Sequence, residues 1–468
     1  MLRAALEDRM SWKPKLSGSG PLHDRIVSAL ERDVRSGALK NGTRLPAQRL
    51  LADHLGFSVG TITKAYLEAE RRGLARGQVG RGTYVTSPFG EDLSPESYED
   101  QIIDLSVNVV PHHAAVPYFV DYKSYALRQW EAFGALSYAP SAGPENQRRA
   151  AATWLKRVAN FDADWKQLIP TTGAQHAMSL VFELLAKPGD TILCEEATFY
   201  GMKTLAQHRG YKLHGIKMDG EGIIPAELEA ACRETKAKAL YLMPTAQNPT
   251  GCTMSKARRQ AIAKIAQRSK LWLVEDDNYA LFGNHGDDKT IPISAYLPER
   301  SFYIGGISKS LAPGLRLGFL VCPPGPSYDS IVQAIRATIL SSSVLGGLLF
   351  THWVDDGSAF KIADAVTEEI GRRLALARTM LGLDKKAPTS APHLWLPMPA
   401  REAEMVAGRA LRAGLVVTPP ESPVLPGASI SGIRLCLGTA SSIEQLKVGL
   451  ERLKGALASK PSDWDSLV

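Results

Sequence analysis

Apolar residues recur at Leu22, Ile26, Val27, Leu30 and Val34, the spacing of one buried helix face. Gly37 ends that helix, and Lys40-Asn41-Gly42 makes a turn. Pro46 opens a second helix, Ala47–Leu55, with Leu50, Leu51 and Leu55 inward and Gly56 as its stop. Ser58 is placed to cap a third helix, Val59–Arg72, which Gly73 closes. Leu74-Ala75-Arg76 and Gly80-Arg81-Gly82-Thr83-Tyr84-Val85 then read as a two-stranded hairpin with Arg81 at its tip. Helix, tight glycine turn, helix and hairpin together predict a small winged helix-turn-helix unit.

Periodicity disappears over Thr86–Gln101, where Pro, Ser, Gly and acidic residues predict an exposed tether. Beyond it the pattern changes. Short apolar runs (Leu168–Pro170, Thr191–Leu193, Ala239–Leu242, Leu271–Val274, Phe302–Ile304, Phe319–Val321) alternate with helical stretches such as Ala174–Leu185 and Lys256–Ser269. Continuous apolar runs between helices predict an α/β unit with a mostly parallel sheet buried on both faces. The expected division is 12–85, a linker over 86–101, and a large unit over 102–468.

Composition narrows the class. The chain has 468 residues, 44% hydrophobic and 22% charged, and no apolar run approaches the ~20 residues of a membrane span. The first residues, MLRAALEDRMSWK, lack a continuous apolar segment. Cys194, Cys232, Cys252, Cys322 and Cys436 are scattered singly, without metal-ligand spacing or a disulfide framework. A reduced, cytoplasmic protein is expected. From Trp12 to Val85 there are 13 basic and 6 acidic residues, a surplus equal to the +7 of the whole chain. The front unit is therefore basic and the remainder neutral. Either the front binds a polyanion or it carries a solvated basic face.

Candidate chemistry lies at the predicted carboxyl ends of the strands, where such sheets place ligands. Ser301–Gly318 carries Lys309 between two serines, with Arg316 nearby. A lysine can form a Schiff base with a carbonyl cofactor, and the arginine can meet a phosphate. Thr171-Thr172-Gly173-Ala174-Gln175 opens a helix whose free N–H groups suit an anion. Phe199 suits a core position or a stack on an aromatic ring. Asn248, in Asn-Pro-Thr-Gly, belongs to a turn and can donate to a phenolate oxygen. A buried carboxylate in Glu275-Asp276-Asp277-Asn278-Tyr279 needs a partner, and a protonated pyridine nitrogen would be one.

The front unit resembles the GntR-type winged helix-turn-helix. Matching residues include Gly37, Leu39, Gly42, Arg44-Leu45-Pro46, Leu51-Ala52, Leu55-Gly56, Thr61, Thr63, Ala65-Tyr66, Glu70, Gly73-Leu74 and Gly80-x-Gly82-Thr83-Tyr84-Val85. The resemblance implies a double-stranded DNA operator, with Arg44, Arg49, Ser58, Gly60, Thr61, Thr63, Lys64 and Arg81 facing it. Many relatives carry Arg directly after the serine that starts the recognition helix; here that position is Val59.

The order Gly-Ala-Gln, Ala-Thr-Phe, Asn-Pro-Thr-Gly, Asp-x-x-Tyr and Ser-Lys…Arg resembles fold-type I pyridoxal phosphate (PLP) enzymes of the aminotransferase family. The resemblance implies that Lys309 is the catalytic lysine that forms an aldimine with PLP. It also implies that Asp276 pairs with the pyridine nitrogen, that Asn248 and Tyr279 bond the ring oxygen, and that Phe199 stacks on the ring. Gly173, Ala174, Gln175, Ser308 and Arg316 would hold the phosphate, and Arg434 would grip a carboxylate of the bound amine. Asn108, Tyr138 and His393 would approach the substrate side, while Arg148 has no assigned role. A shorter spacing used in some regulators would select Asp277 instead of Asp276. Many relatives have Ser or Thr where Gly306 stands, so one phosphate hydrogen bond, ~1–3 kcal/mol, would be lost.

The two resemblances together describe the MocR subfamily of transcription regulators. They imply a homodimeric, PLP-dependent DNA-binding regulator that senses an amino compound, or PLP itself, without a metal. A working aminotransferase with an accessory DNA-binding head is the rival expectation from another class.

Overall fold

The computed structural model describes residues 10–17, 19–35, 38–39, 42–72, 74–78, 82–85, 102–111, 138–283, 290–383 and 390–459. Arg81 and the expected tether lie outside the described residues, as do Gly37, Gly73 and Gly80. The chain divides into two compact units, Met1–Glu99 and Asp100–Val468.

The first unit contains α1 (Leu22–Arg35), α2 (Gln48–Leu55), α3 (Val59–Arg71) and the antiparallel pair β1 (Ala75–Gln78) and β2 (Gly82–Val85). Gly56 ends α2 in the left-handed conformation expected of a helix stop. Ser58 caps α3, its side chain accepting the Thr61 amide. The core joins Ile26, Val27, Leu30 and Val34 of α1 to Leu51, Ile62 and Tyr66. Tyr66 donates its hydroxyl to the Pro46 carbonyl at 2.8 Å, which satisfies its one buried polar atom.

Trp12 is a further core residue, 5% exposed, with its indole N–H on Asp33 Oδ2 at 2.9 Å. A lone tryptophan in Ser-Trp-Lys-Pro has no periodicity, so its burial was not legible in the sequence.

The second unit is built around a seven-stranded sheet. Its elements in chain order are β3 (Ile103–Asp104), α4 (Glu145–Ala159), β4 (Leu168–Thr171), α5 (Ala174–Leu185), β5 (Thr191–Glu195), α6 (Tyr200–Arg209), β6 (Lys212–Ile216), β7 (Met218–Asp219), β8 (Gly222–Ile223), α7 (Pro225–Glu234), β9 (Ala239–Leu242), α8 (Lys256–Arg268), β10 (Trp272–Asp276), β11 (Ser301–Gly306), β12 (Gly318–Val321), α9 (Pro326–Thr338), α10 (Val344–Asp355), α11 (Ser358–Leu381), β13 (His393–Pro397), α12 (Ala400–Arg412), β14 (Leu415–Val416), β15 (Gly432–Cys436) and α13 (Ile443–Ala458).

The sheet order is β4-β12-β11-β10-β9-β5-β6, parallel except for β12, which runs antiparallel to both of its neighbours. Strands such as β4, β9 and β12 are buried along their whole length, which explains why they read as unbroken apolar runs. The parallel direction brings the ends of β4, β5, β9, β10 and β11 to one edge, where the candidate residues follow. A smaller layer pairs β13 with β15 and packs α11, α12 and α13 around Leu435, Leu446 and Leu450. No described helix is long and apolar enough to cross a membrane.

Candidate cofactor cleft and DNA-reading unit

A cleft of about 660 Å³ opens at that edge. Lys309, Ser308 and Arg316 line it from the turn after β11, Asn248 from the loop after β9, and Tyr279 from the loop after β10. Phe199 enters from the start of α6, and Ala174 and Gln175 from the start of α5. Arg434 comes from β15 and Asn108 from the stretch after β3. A second cavity of about 600 Å³ is lined by Phe161, Ile291 and Pro324 among others; among the described residues it has no lysine or arginine in its wall and shares no lining residue with the cleft.

Lys309 donates its Nζ to the Asn108 carbonyl. Burial brings its amine down to about 8, assisted by the positive charges of Arg434 and Arg316 and opposed by Cys436 and Asp276. The amine is thus partly neutral, and nucleophilic, near physiological pH.

Asp276, 5% exposed, ends β10. It accepts Tyr241 Oη at 2.8 Å and Asn278 Nδ2 at 2.6 Å. Burial raises its carboxyl above the ordinary range, and the two hydrogen bonds oppose that rise. Asp277 bonds Tyr303 Oη at 3.1 Å instead. Successive side chains of an extended strand alternate in direction, so Asp276 shares a field with Lys309 while Asp277 and Glu275 share that of Arg259.

Four hydrogen bonds set the donors. His393 Nε2 meets the Gln247 carbonyl at 2.9 Å. A carbonyl only accepts, so Nε2 carries the proton and Nδ1 accepts from Asn108 Nδ2 at 2.9 Å. Burial, with Arg434 beside it, pushes His393 down to about 3, and the ring is neutral. Asn108 Nδ2 also donates to Tyr279 Oη at 2.9 Å, leaving the Tyr279 proton free to donate. Asn248 Oδ1 accepts Arg434 Nη1 at 2.5 Å, leaving its amide as a second donor. Two neutral donors in one cleft suit an anionic oxygen.

The anion cradle is equally defined. Gly173 precedes α5 with φ 84°, and a Cβ there would lie 2.6 Å from Arg316 Nη2. Glycine is thus required both by its backbone and by the guanidinium beside it. The Ala174 and Gln175 amides have no intrahelical acceptor, and both residues line the cleft with Arg316. Among the described residues, no protein acceptor engages the Arg316 guanidinium. The Gln175 side chain spends one of its two Nε2 protons on the Gly201 carbonyl at 3.2 Å, which leaves the other, with the backbone N–H, for an anion. Phe199 packs edge-on against Tyr200, centroids 4.8 Å apart.

Of the expected substrate-side residues, Asn108 lines the cleft, His393 is fully buried and bonded to Asn108, and Tyr138 is 86% exposed and does not line it. Arg148 bonds Tyr328 Oη at 3.2 Å and lies over Trp165, a packing role. Thr418 and Ser106, which hold Arg434, carry no signal in the sequence because neither sits in a recognisable motif.

Gly306 acquires a local explanation. A Cβ there would fall 2.6 Å from Asn278 Oδ1, and the same amide group bonds Asp276. The room for a side chain at 306 is used by Asn278. Gly306→Ser is accordingly expected to weaken PLP binding by about five- to tenfold, since Asn278 must release Asp276. Absorbance titration of the cofactor-free protein checks this; tighter binding would show that the serine hydroxyl outweighs the displaced amide.

In the first unit, Arg44, Arg49, Ser58, Gly60 and Lys64 are exposed. The α3 hydroxyls are already engaged: Ser58 Oγ meets Thr61 Oγ1 at 2.9 Å, and Thr63 Oγ1 donates to Gln48 Oε1 at 2.7 Å. Arg44 pairs through its backbone with Tyr84 of β2, and its side chain lies over Gly82.

Residues 100–453 match the family model for aminotransferase class I and II. The chain belongs to the aminotransferase class I and II family. Residues 22–85 match bacterial regulatory proteins of the gntR family, and the combination is that of the MocR-type regulators. The uncharacterized HTH-type transcriptional regulator YdeF of Bacillus subtilis (strain 168) is 29% identical over 463 residues, covering 96% of this chain and 97% of its own. The probable rhizopine catabolism regulatory protein MocR of Rhizobium meliloti is 24% identical over 330 residues, 65% of this chain and 66% of its own. The crystal structure of an archaeal alanine:glyoxylate aminotransferase aligns with a TM-score of 0.70 at 21% identity, over 77% of this chain and 91% of that one. This likeness shows the fold.

PLP is the cofactor of this aminotransferase-like regulator, and the cleft residues fit it. The Arg316 guanidinium, without an acceptor among the described residues, and the α5 amides suit its phosphate, the Asp276 carboxylate a pyridinium nitrogen, and the Tyr279 and Asn248 donors a phenolate. When bound, PLP supplies a carbonyl that an amine can attack and a ring that withdraws electrons.

Proposed function

We propose that this regulator reads DNA through its first unit and senses an amino compound in the cleft of its second. The observation that carries the reading is Arg434. It is 4% exposed and held by Thr418 Oγ1 at 3.1 Å, Asn248 Oδ1 at 2.5 Å and the Ser106 carbonyl at 2.9 Å. A guanidinium has five N–H donors. Three are committed here, and the remaining pair suits a carboxylate in a fixed orientation. Lys309 stands in the same cleft to exchange with the amine.

Lys309 holds the cofactor, Asp276 its ring nitrogen, and Gly173, Ala174, Gln175, Ser308 and Arg316 its phosphate. The exposed Arg44, Arg49 and Lys64 meet DNA phosphates or base edges. The protein acts as a homodimer in the cytoplasm, over residues 12–85 and 102–468 joined by the tether. A ligand switches such a protein only by binding one conformation more tightly than another.

The test uses full-length, PLP-loaded protein, DNA selected from a random pool, and a panel of the common amino acids. At least one is expected to shift the visible absorbance and change the DNA affinity without keto acid accumulating. Steady keto-acid formation with unchanged DNA affinity would replace the sensor by an aminotransferase with a DNA-binding head.

A further inference from the structure

We infer that Lys203 is a positioning residue that fixes the carboxylate-binding wall of the cleft against its ring-stacking wall. The inference rests on the reading of Arg434 above. Lys203 lies on α6, one turn beyond Phe199. Its Nζ donates to the carbonyl oxygens of Glu421 at 2.9 Å, Ser422 at 2.7 Å and Val424 at 2.7 Å. An ammonium has three protons, and each meets a backbone acceptor. The lysine therefore staples a loop to a helix, and among the described residues it is not one half of an ion pair.

The same two segments are held along their length. The Thr198 amide donates to the Pro423 carbonyl at 2.7 Å and the Leu425 amide to the Glu196 carbonyl at 2.9 Å, and Ala197 bridges Val424. The stapled loop begins at Thr418, whose hydroxyl accepts Arg434 Nε and donates to the Ser106 carbonyl at 3.0 Å. Pro419 and Ser422 of this loop line the cleft with Phe199. Releasing Lys203 frees three carbonyls of the loop, and Thr418 moves with it. Arg434 then loses one of the three partners that aim its fork. Among the described residues, the phosphate cradle and Asp276 share no hydrogen bond with the loop.

Lys203→Met keeps the aliphatic stem and removes the donors. In full-length, PLP-loaded protein, the probes are L-alanine and ethylamine, which is the same amine without the carboxylate. The variant is expected to bind L-alanine about tenfold more weakly, with ethylamine and PLP changed by less than about twofold. Lys203→Arg, which retains donors, recovers part of the loss. Hydrogen exchange of the Thr198 and Leu425 amides should accelerate at least about tenfold in the methionine variant. Unchanged exchange at both amides would overturn the staple whatever the amines do. Faster exchange with equal losses for both amines would overturn its role in the carboxylate wall. Wild-type protein that prefers ethylamine would overturn the reading of Arg434, while the exchange result would still decide whether Lys203 staples the loop.

Discussion

Lys309→Ala removes the lysine-linked visible absorbance of the PLP-loaded protein and with it any amine-dependent change in DNA affinity. The remaining contacts, from Arg316, the α5 amides and Asp276, still bind PLP, but it is lost on gel filtration. Retention falls by at least about a hundredfold, the worth of about 2.7 kcal/mol. Folding is spared, since the amine's protein partner is the carbonyl of Asn108, a residue that lines the cleft.

The same residue has a pH signature. Burial brings the Lys309 amine to about 8, against about 10.4 for an ordinary lysine. Capture of PLP by cofactor-free wild-type protein should quicken as pH rises to about 8 and then level off, followed by stopped-flow absorbance. Capture that keeps accelerating toward pH 10 would mean that the cleft does not depress the amine.

Arg259→Met is expected to cost about 3–5 kcal/mol of stability, or about 5–10 °C in Tm by calorimetry. Arg259 is 1% exposed. It donates to the carbonyls of Met254 and Pro244 and to Thr245 Oγ1 at 3.1, 3.1 and 2.9 Å, and lies 3.7 Å from Glu275 Oε1. Methionine fills much of its volume, yet leaves the buried Glu275 and Asp277 without their cation.

The pH dependence follows from those carboxyls. Burial, with Asp277 beside it, raises Glu275 to about 7, and Arg259 opposes that rise. The native state therefore keeps a proton that the unfolded chain releases near pH 4.5, so stability falls as pH rises through that window. Removing Arg259 raises both carboxyls further. The deficit should be largest above about pH 8 and shrink toward pH 5 as the carboxyls protonate. A deficit independent of pH would assign the loss to the abandoned carbonyls and packing. The network also ties the Pro244–Thr245 turn ahead of Asn248 to the strand that ends in Asp276, so weaker PLP binding should accompany the lower Tm.

Local chemistry made much of this chain legible in its sequence. Leu22–Val34 could bury one face only as a helix, and Ser58 and Gly56 marked helix ends through their own backbone preferences. Runs such as Ala239–Leu242 could be satisfied only in a strand covered on both sides. The order of Gly173, Asn248, Asp276, Lys309 and Arg434 carried the family. The structure decided what depends on contacts between distant segments. Side-chain alternation along β10 gave Asp276 to Tyr241 and Asn278 and Asp277 to Tyr303, the proton on His393 was set by Gln247, and Gly306 was explained by Asn278. Trp12 and Lys203 gave no signal, because an isolated tryptophan has no period and a lysine that serves carbonyls has no partner in its own neighbourhood. Propensity and pattern act over a few residues and are written in the sequence. Hydrogen bonds such as that from Lys203 to Val424, which joins positions 221 residues apart, exist only once the chain has folded.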